Sequence, residues 1–133
     1  MRWCARRPSL AALALGLFGA STGAAAALVA AAQHPESVSA VVSRGGRPDL
    51  AGPHLPRVAA PTLLIVGGED FEVLELNKLA LASLRCERRL EVVPGATHLF
   101  EEPGTLARAA ELAGAWFESH LRSKPALQPA KGH

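Results

Sequence analysis

The chain has 133 residues, which is enough for one compact domain but not for two. Hydrophobic residues make up 49% of it and can bury a core, so the composition excludes a disordered chain. The net charge is +2, and three of the arginines fall within the first seven residues, so no basic stripe runs through the rest and the sequence predicts no nucleic-acid partner. Two cysteines, Cys4 and Cys86, exclude a disulfide-dense scaffold and a four-cysteine metal site, and no metal or cofactor is expected.

The beginning of the chain supports two interpretations. A basic start followed by the apolar run Leu10–Ala32 resembles a secretory signal peptide and is about as long as a membrane helix. Alternatively, Leu13–Phe18 forms a buried strand, Gly19–Gly23 a tight turn and Ala24–Gln33 a helix, because glycine and hydroxyl residues suit a corner better than a membrane helix. The first interpretation predicts an exported protein that loses residues 1–32. The second predicts a cytoplasmic protein without membrane association.

Apolar strands and helices alternate through the rest of the chain. The predicted strands are Val38–Ser43, Pro61–Val66 and Arg89–Val93, and the predicted helices are Phe71–Leu84 and Pro103–Leu121. Three prolines make residues 47–60 a loop with at most one helical turn, and residues 122–133 are expected to be a disordered tail. The order predicts an α/β fold of about four parallel strands with helices on both faces. Ligands of such sheets bind where the strands end.

A serine follows the first predicted strand in the pentapeptide Gly19-Ala20-Ser21-Thr22-Gly23, which has the pattern G-x-S-x-G. Small residues two positions before and after the serine let strand and helix pass closely. The turn then lifts the hydroxyl above the sheet edge, and the N–H of Thr22 points at a developing oxyanion. By itself this motif is weak evidence for a catalytic serine, because signal peptides and helix-packing segments rich in small residues can also contain it.

A carboxylate and a histidine follow two later strands. Asp70 comes after the third strand, where it orients a histidine or simply caps the next helix, and Glu69 and Asp49 are alternatives for the same role. His98 comes after the fourth strand, at the position where a general base for a serine is needed. Ser21, Asp70 and His98 together have the chain order of an α/β-hydrolase, which favours the strand interpretation of the N-terminal segment over the signal peptide.

The segments around these residues resemble a known family. Residues 15–24 are similar to the nucleophile elbow of the α/β-hydrolase superfamily, and residues 42–50, 60–70 and 93–103 resemble its dienelactone hydrolase-like branch. The similarity is greatest to the bacterial members found beside or fused to phosphoribosyltransferase domains. It covers residues 13–121 and implies Ser21 as nucleophile, His98 as base and Asp70 as acid. Dienelactone hydrolase itself has a cysteine nucleophile, so lactone specificity does not follow.

The family has about four strands and two helices before the elbow, including the loop that supplies a second oxyanion N–H. Residues 1–12 do not resemble that region, so they are interpreted as a non-homologous or wrongly assigned start, and residues 13–121 as the C-terminal half of a hydrolase domain. The expected function is a serine hydrolase of small-molecule esters, thioesters or related acyl substrates, weakly active or inactive by itself. Such a half is expected to self-associate or to pair with the missing N-terminal half. The alternatives are a non-catalytic interaction half-domain and a small exported protein.

One arginine is a candidate for substrate contact. Arg44 follows the second strand and could face an anionic substrate, although a solvated arginine is the more common role at such a position.

Overall fold

The computed structural model describes the backbone of residues 16–127 and the side chains of residues 16–121. Its centre is one four-stranded sheet in which every pair of neighbours is parallel and the spatial order follows the chain order. The strands are β1 (Gly16–Ala20), β2 (Ala40–Arg44), β3 (Thr62–Gly67) and β4 (Arg88–Val93). The two central strands are almost wholly buried, as expected for a parallel sheet covered on both faces.

Helices cover both faces of the sheet, which confirms the predicted α/β architecture. They are α1 (Gly23–Gln33), α2 (Phe71–Ser83) and α3 (Thr105–Leu127). Residues of α1, α2 and the segment Pro48–Arg57 pack on one face, and residues of α3 on the other. The first core includes Leu28, Ala31, Val41, Leu55, Leu64, Ala80 and Leu84. The second includes Ala40, Val42, Leu63, Ile65, Phe100, Ala109, Ala113 and Trp116.

The N-terminal apolar run folds as a corner. Residues 16–33 form a strand, a turn and a helix, in agreement with the second interpretation of that segment. The strand ends at Ala20, two residues beyond its predicted end, and Leu13–Leu15 lie outside the described residues. Within residues 16–127, no helix has the length and apolar character needed to cross a membrane.

Two segments are more helical than predicted. Pro48–Arg57 is not a plain loop but two 3₁₀ turns separated by a kink at Gly52, whose φ is 48°. Proline is tolerated in the first turn of a helix, so Pro48 starts this segment instead of preventing it. The last helix was expected to end at Leu121 and to be followed by a disordered tail over 122–133, yet helical backbone continues to Leu127. Arginine, lysine and alanine in that extension favour a helix, whereas Pro125 disfavours one, so helix propensity does not explain the extension. Residues 128–133 lie outside the described residues.

The strand register aligns the carboxyl ends of the four strands. Ala20 is paired with Arg44, Arg44 with Ile65, and Gly67 with Val93. The segments that follow the strands therefore meet along one edge of the sheet, and these segments contain Ser21, Asp70 and His98.

Candidate active site

Ser21 occupies a strained corner between β1 and α1. Its φ is 52°, one of two positive values at non-glycine residues in the described part of the chain. A left-handed backbone costs a residue with a Cβ roughly 1–3 kcal/mol and persists only where the surroundings impose it. The turn from strand to helix within two residues leaves no other path for the backbone, and it holds the Ser21 hydroxyl above the sheet edge.

The two glycines of the pentapeptide have different roles. A Cβ on Gly19 would lie 2.5 Å from the carbonyl oxygen of Gly23 and 2.7 Å from the Cα of Ala24, so strand and helix approach too closely for any side chain there. A Cβ on Gly23 would meet nothing within 4 Å. The sequence pattern treats the two as equivalent spacers. In the structure Gly19 must be glycine because no side chain fits there, whereas Gly23 contributes the backbone atoms that Gly19 approaches.

This difference gives a paired stability prediction. Gly19→Ala is expected to destabilise the fold by about 1–3 kcal/mol, because the new methyl group meets backbone atoms that cannot move aside. Gly23→Ala adds the same methyl group in open space and is expected to change stability by no more than about 0.5 kcal/mol. Denaturant unfolding of both variants measures the difference. Equal losses would contradict the assigned contact.

His98 joins Ser21 to Asp70 across the edge of the sheet. Its Nε2 lies 3.3 Å from the Oγ of Ser21, and its Nδ1 lies 2.9 Å from the Oδ2 of Asp70. An ionised carboxylate only accepts hydrogen bonds, so the Nδ1–H donates to Asp70 and Nε2 is left as the acceptor facing the serine hydroxyl. The Asp70 side chain is 14% exposed and the His98 side chain 40%, which leaves the histidine open to a ligand.

The alternative acids have other positions. Asp49 forms a bidentate ion pair with Arg47 at 3.0 and 2.9 Å, and this hydrogen bonding lowers the pKa of the Asp49 carboxyl. Glu69 is exposed to solvent. Asp70 occupies the N-cap position of α2, but its side chain makes no capping hydrogen bond. The carboxylate is therefore aimed at His98 and not at the helix backbone.

The loop that carries His98 is fixed by a residue that was not among the predicted site residues. Glu102 accepts a hydrogen bond from the Thr97 N–H at 3.0 Å and another from the Thr97 hydroxyl at 2.7 Å. Both bonds lower the pKa of the Glu102 carboxyl, and the bond from the Thr97 hydroxyl has the larger effect. They close the loop over residues 97–102 around His98. The sequence signal is only a hydroxyl residue and a glutamate five positions apart, which is too common to be recognised.

The N-terminus of α1 lies beside Ser21. Thr22 occupies the N-cap position, and the first turn of the helix contains no acidic residue. The N–H groups of Ala24 and Ala25 already donate to the carbonyls of Ser21 and Thr22, each at 3.2 Å, but the aligned peptide dipoles still give this end a partial positive charge. This end of α1 can therefore hold negative charge that develops next to the Ser21 oxygen.

Arg44 extends from the end of β2 across the same edge. Its guanidinium carbon lies 5.3 Å from the centre of the Phe100 ring, and no carboxylate of the described residues is within ion-pair distance. A half-exposed arginine stacked on an aromatic ring keeps its donors available to a ligand.

Neither a metal site nor a reactive thiol accompanies these groups in the described part of the chain. No cluster of three histidine, cysteine or acidic side chains within residues 16–121 is arranged to hold a metal ion. Cys86 is half-buried, and burial raises the pKa of its thiol, which makes it a poor nucleophile.

The sequence was compared with protein families and with curated proteins. No protein-family profile matches the sequence. A Mycobacterium tuberculosis protein whose provisional name is phosphoribosyl transferase, found in strains CDC 1551 and H37Rv, is 64% identical over 119 residues. These residues are 90% of this chain and 27% of that protein, so the chain spans about a quarter of the curated relatives it matches.

Solved structures of hydrolases have the same fold. Dienelactone hydrolase from Anabaena variabilis superposes with a TM-score of 0.86 at 57% identity, over 90% of this chain and 56% of that one. The esterase domain of a Rhodothermus marinus protein gives a TM-score of 0.73 at 22% identity, over 90% of this chain and 65% of that domain, and supports the fold alone. The sheet, its helices and these superpositions give the described part of the chain an α/β-hydrolase fold. The predicted resemblance to the dienelactone hydrolase-like branch is confirmed.

Proposed function

We propose that the protein is a serine hydrolase that cleaves small carboxylic esters or thioesters through an acyl-enzyme. The observation that carries this proposal is the continuous set of contacts from Ser21 through His98 to Asp70, with distances of 3.3 and 2.9 Å, within a hydrolase fold. A nucleophile, a base and a group that orients the base are the minimum that acyl transfer by a serine requires.

In the first half of the reaction the Oγ of Ser21 attacks the acyl carbon while Nε2 of His98 takes the hydroxyl proton. The carbonyl π electrons move onto oxygen to give a tetrahedral intermediate. This intermediate collapses by expelling the alcohol or thiol, which receives the proton from His98. Asp70 stabilises the imidazolium that exists between the two proton transfers, since its carboxylate accepts from the opposite ring nitrogen.

In the second half water takes the place of the alcohol. His98 removes a proton from the water, the hydroxide attacks the acyl-Ser21 ester, and the proton then returns to the serine oxygen as the acid leaves. The negative oxygen of each tetrahedral intermediate is held by the N–H of Thr22 and by the positive end of α1. The left-handed backbone of Ser21 forms the sharp corner that places this residue directly before the first turn of α1.

The substrate class that we propose includes an anionic group contacted by Arg44. Arg44→Ala is expected to raise the KM for an ester that bears a carboxylate by about tenfold or more, since a charge-assisted hydrogen bond is worth roughly 1.5–3 kcal/mol. A neutral ester of the same size should be hydrolysed almost unchanged. Arg57→Ala, which removes an exposed arginine at the end of the 3₁₀ segment, is the matched control. Equal effects of Arg44→Ala on both esters would contradict the contact.

Covalent labelling tests the function directly. A fluorophosphonate probe reacts with activated serines, so the protein combined with the N-terminal half of a related hydrolase is expected to gain the mass of one probe on this chain. Peptide mapping should then find this mass at Ser21. Labelling at any other serine, or labelling that is as rapid in denaturant as in buffer, would contradict the proposed nucleophile.

A further inference from the structure

We infer that Asn77 is a positioning residue, which holds the corner of Ser21 in register with His98 and Asp70. The inference rests on the proposed function and adds to it a residue outside the Ser21–His98–Asp70 set. Asn77 lies in the second turn of α2, a helix that begins directly after Asp70. Its side chain is completely buried between helix and sheet.

The contacts of Asn77 reach out of its own helix. Its Nδ2 donates to the carbonyl of Val73 at 2.8 Å, which is a local bond within α2, and to the carbonyl of Gly46 at 3.1 Å. Its Oδ1 has no hydrogen-bond partner. A buried amide with one unsatisfied atom is costly for a core position. What the amide adds at this position is the hydrogen bond to Gly46, which an apolar side chain could not make.

Gly46 belongs to the loop that follows β2, and this loop is tied to the corner of Ser21. The N–H of Arg47 donates to the carbonyl of Ser21 at 3.1 Å. A Cβ on Gly46 would lie 3.2 Å from that same carbonyl oxygen and 2.4 Å from the Cβ of Ala24, the buried second residue of α1. The loop therefore presses against the corner and also bonds to it.

Asn77 completes a connection between the two halves of the site. On one side α2 begins at Asp70, which orients His98. On the other side Gly46 and Arg47 hold the backbone of Ser21. The Ser21–His98 distance of 3.3 Å is near the limit of a hydrogen bond, so a small shift of the corner away from α2 would separate nucleophile and base.

Hydrogen exchange tests the mechanical part of this inference without any need for activity. Asn77→Leu keeps the branched shape and the number of side-chain heavy atoms, although leucine is the larger residue, and it removes the donor to Gly46. It is expected to speed exchange of the amides in residues 45–47 by about tenfold or more, while amides of β3 remain protected. Leu84→Ala, which opens a cavity at the C-terminal end of α2, is the matched control. Asn77→Ala repeats the test with a smaller side chain. Unchanged exchange over residues 45–47 in both Asn77 variants would overturn the inference.

A double-mutant cycle tests the catalytic part. In the fraction of Asn77→Leu that is folded, the rate of fluorophosphonate labelling is expected to fall by about 100-fold, because a small displacement of a nucleophile has an effect of this size. In a His98→Ala background the same change should cost less than about threefold, because there is no longer a base to be misaligned with. If Asn77 had only a structural role, Asn77→Leu would lower the labelling rate by the same factor with and without His98. That result would contradict the positioning role.

The two failures are distinguishable. If labelling proves independent of Ser21 in the otherwise unchanged protein, the proposed function is wrong, and the exchange experiment still decides whether Asn77 holds the loop. If labelling depends on Ser21 but Asn77→Leu labels at the normal rate, the proposed function stands and the positioning role is overturned.

Discussion

Replacing Ser21 by alanine is expected to remove the weak ester hydrolysis that this chain supports, and to cost on the order of 10⁶-fold in kcat once the N-terminal half of a related hydrolase is added, since the residue then acts as the nucleophile of an acyl-enzyme. The methyl group of alanine leaves the base and the orienting acid in place, but His98 then has no hydroxyl to deprotonate. The variant should also resist fluorophosphonate labelling. Both effects are measured with a chromogenic ester and by the mass of the intact protein after exposure to the probe.

Ser43→Ala is the matched control. Ser43 is a serine of the neighbouring strand, but its hydroxyl is completely buried and has no hydrogen-bond partner, so its removal takes nothing from the site. Activity and labelling should stay at the level of the unchanged protein. If Ser21→Ala hydrolyses esters as fast as Ser43→Ala, the corner is structural, and a non-catalytic interaction domain becomes the better explanation of the chain.

The three proposed catalytic residues were accessible from the sequence because each one lies in the short segment after a strand. Strands of a parallel sheet end at a common edge, so local patterns around Ser21, Asp70 and His98 are enough to predict that these residues meet. The distances of 3.3 and 2.9 Å agree with that expectation, and their catalytic roles stay predictions.

What the sequence did not reveal depends on contacts between segments far apart in the chain. The bond from Asn77 to Gly46 spans 31 positions, and in the sequence Asn77 is only a polar residue within an amphipathic helix. The unequal roles of Gly19 and Gly23 depend on where a Cβ on each residue would point. The symmetric pattern G-x-S-x-G does not contain this information. The ion pair between Asp49 and Arg47 was also not foreseen, although the sequence already favoured Asp70 over Asp49 as the acid.

The choice of acid has a large kinetic consequence. Asp70→Asn is expected to lower kcat by about 10⁴-fold, the size of effect seen when an acid that orients a catalytic histidine becomes an amide. The amide nitrogen can donate to Nδ1, which favours the tautomer with its proton on Nε2, and that tautomer cannot accept the proton of Ser21. The change is nearly isosteric, so thermal unfolding should show a folded protein, and ester hydrolysis measures the loss.

Two carboxylates nearby in the sequence provide controls for this prediction. Glu69→Gln alters an exposed residue directly beside Asp70 and should leave kcat within about twofold, in line with the small effects typical of surface substitutions. Asp49→Asn weakens the ion pair with Arg47 and is expected to act mainly on stability, because its carboxylate bonds to Arg47 and not to His98. A loss of kcat in Asp49→Asn that equals or exceeds the loss in Asp70→Asn would mean that the orienting acid follows β2. The contact between Asp70 and His98 would then have to be replaced by a different arrangement when substrate binds.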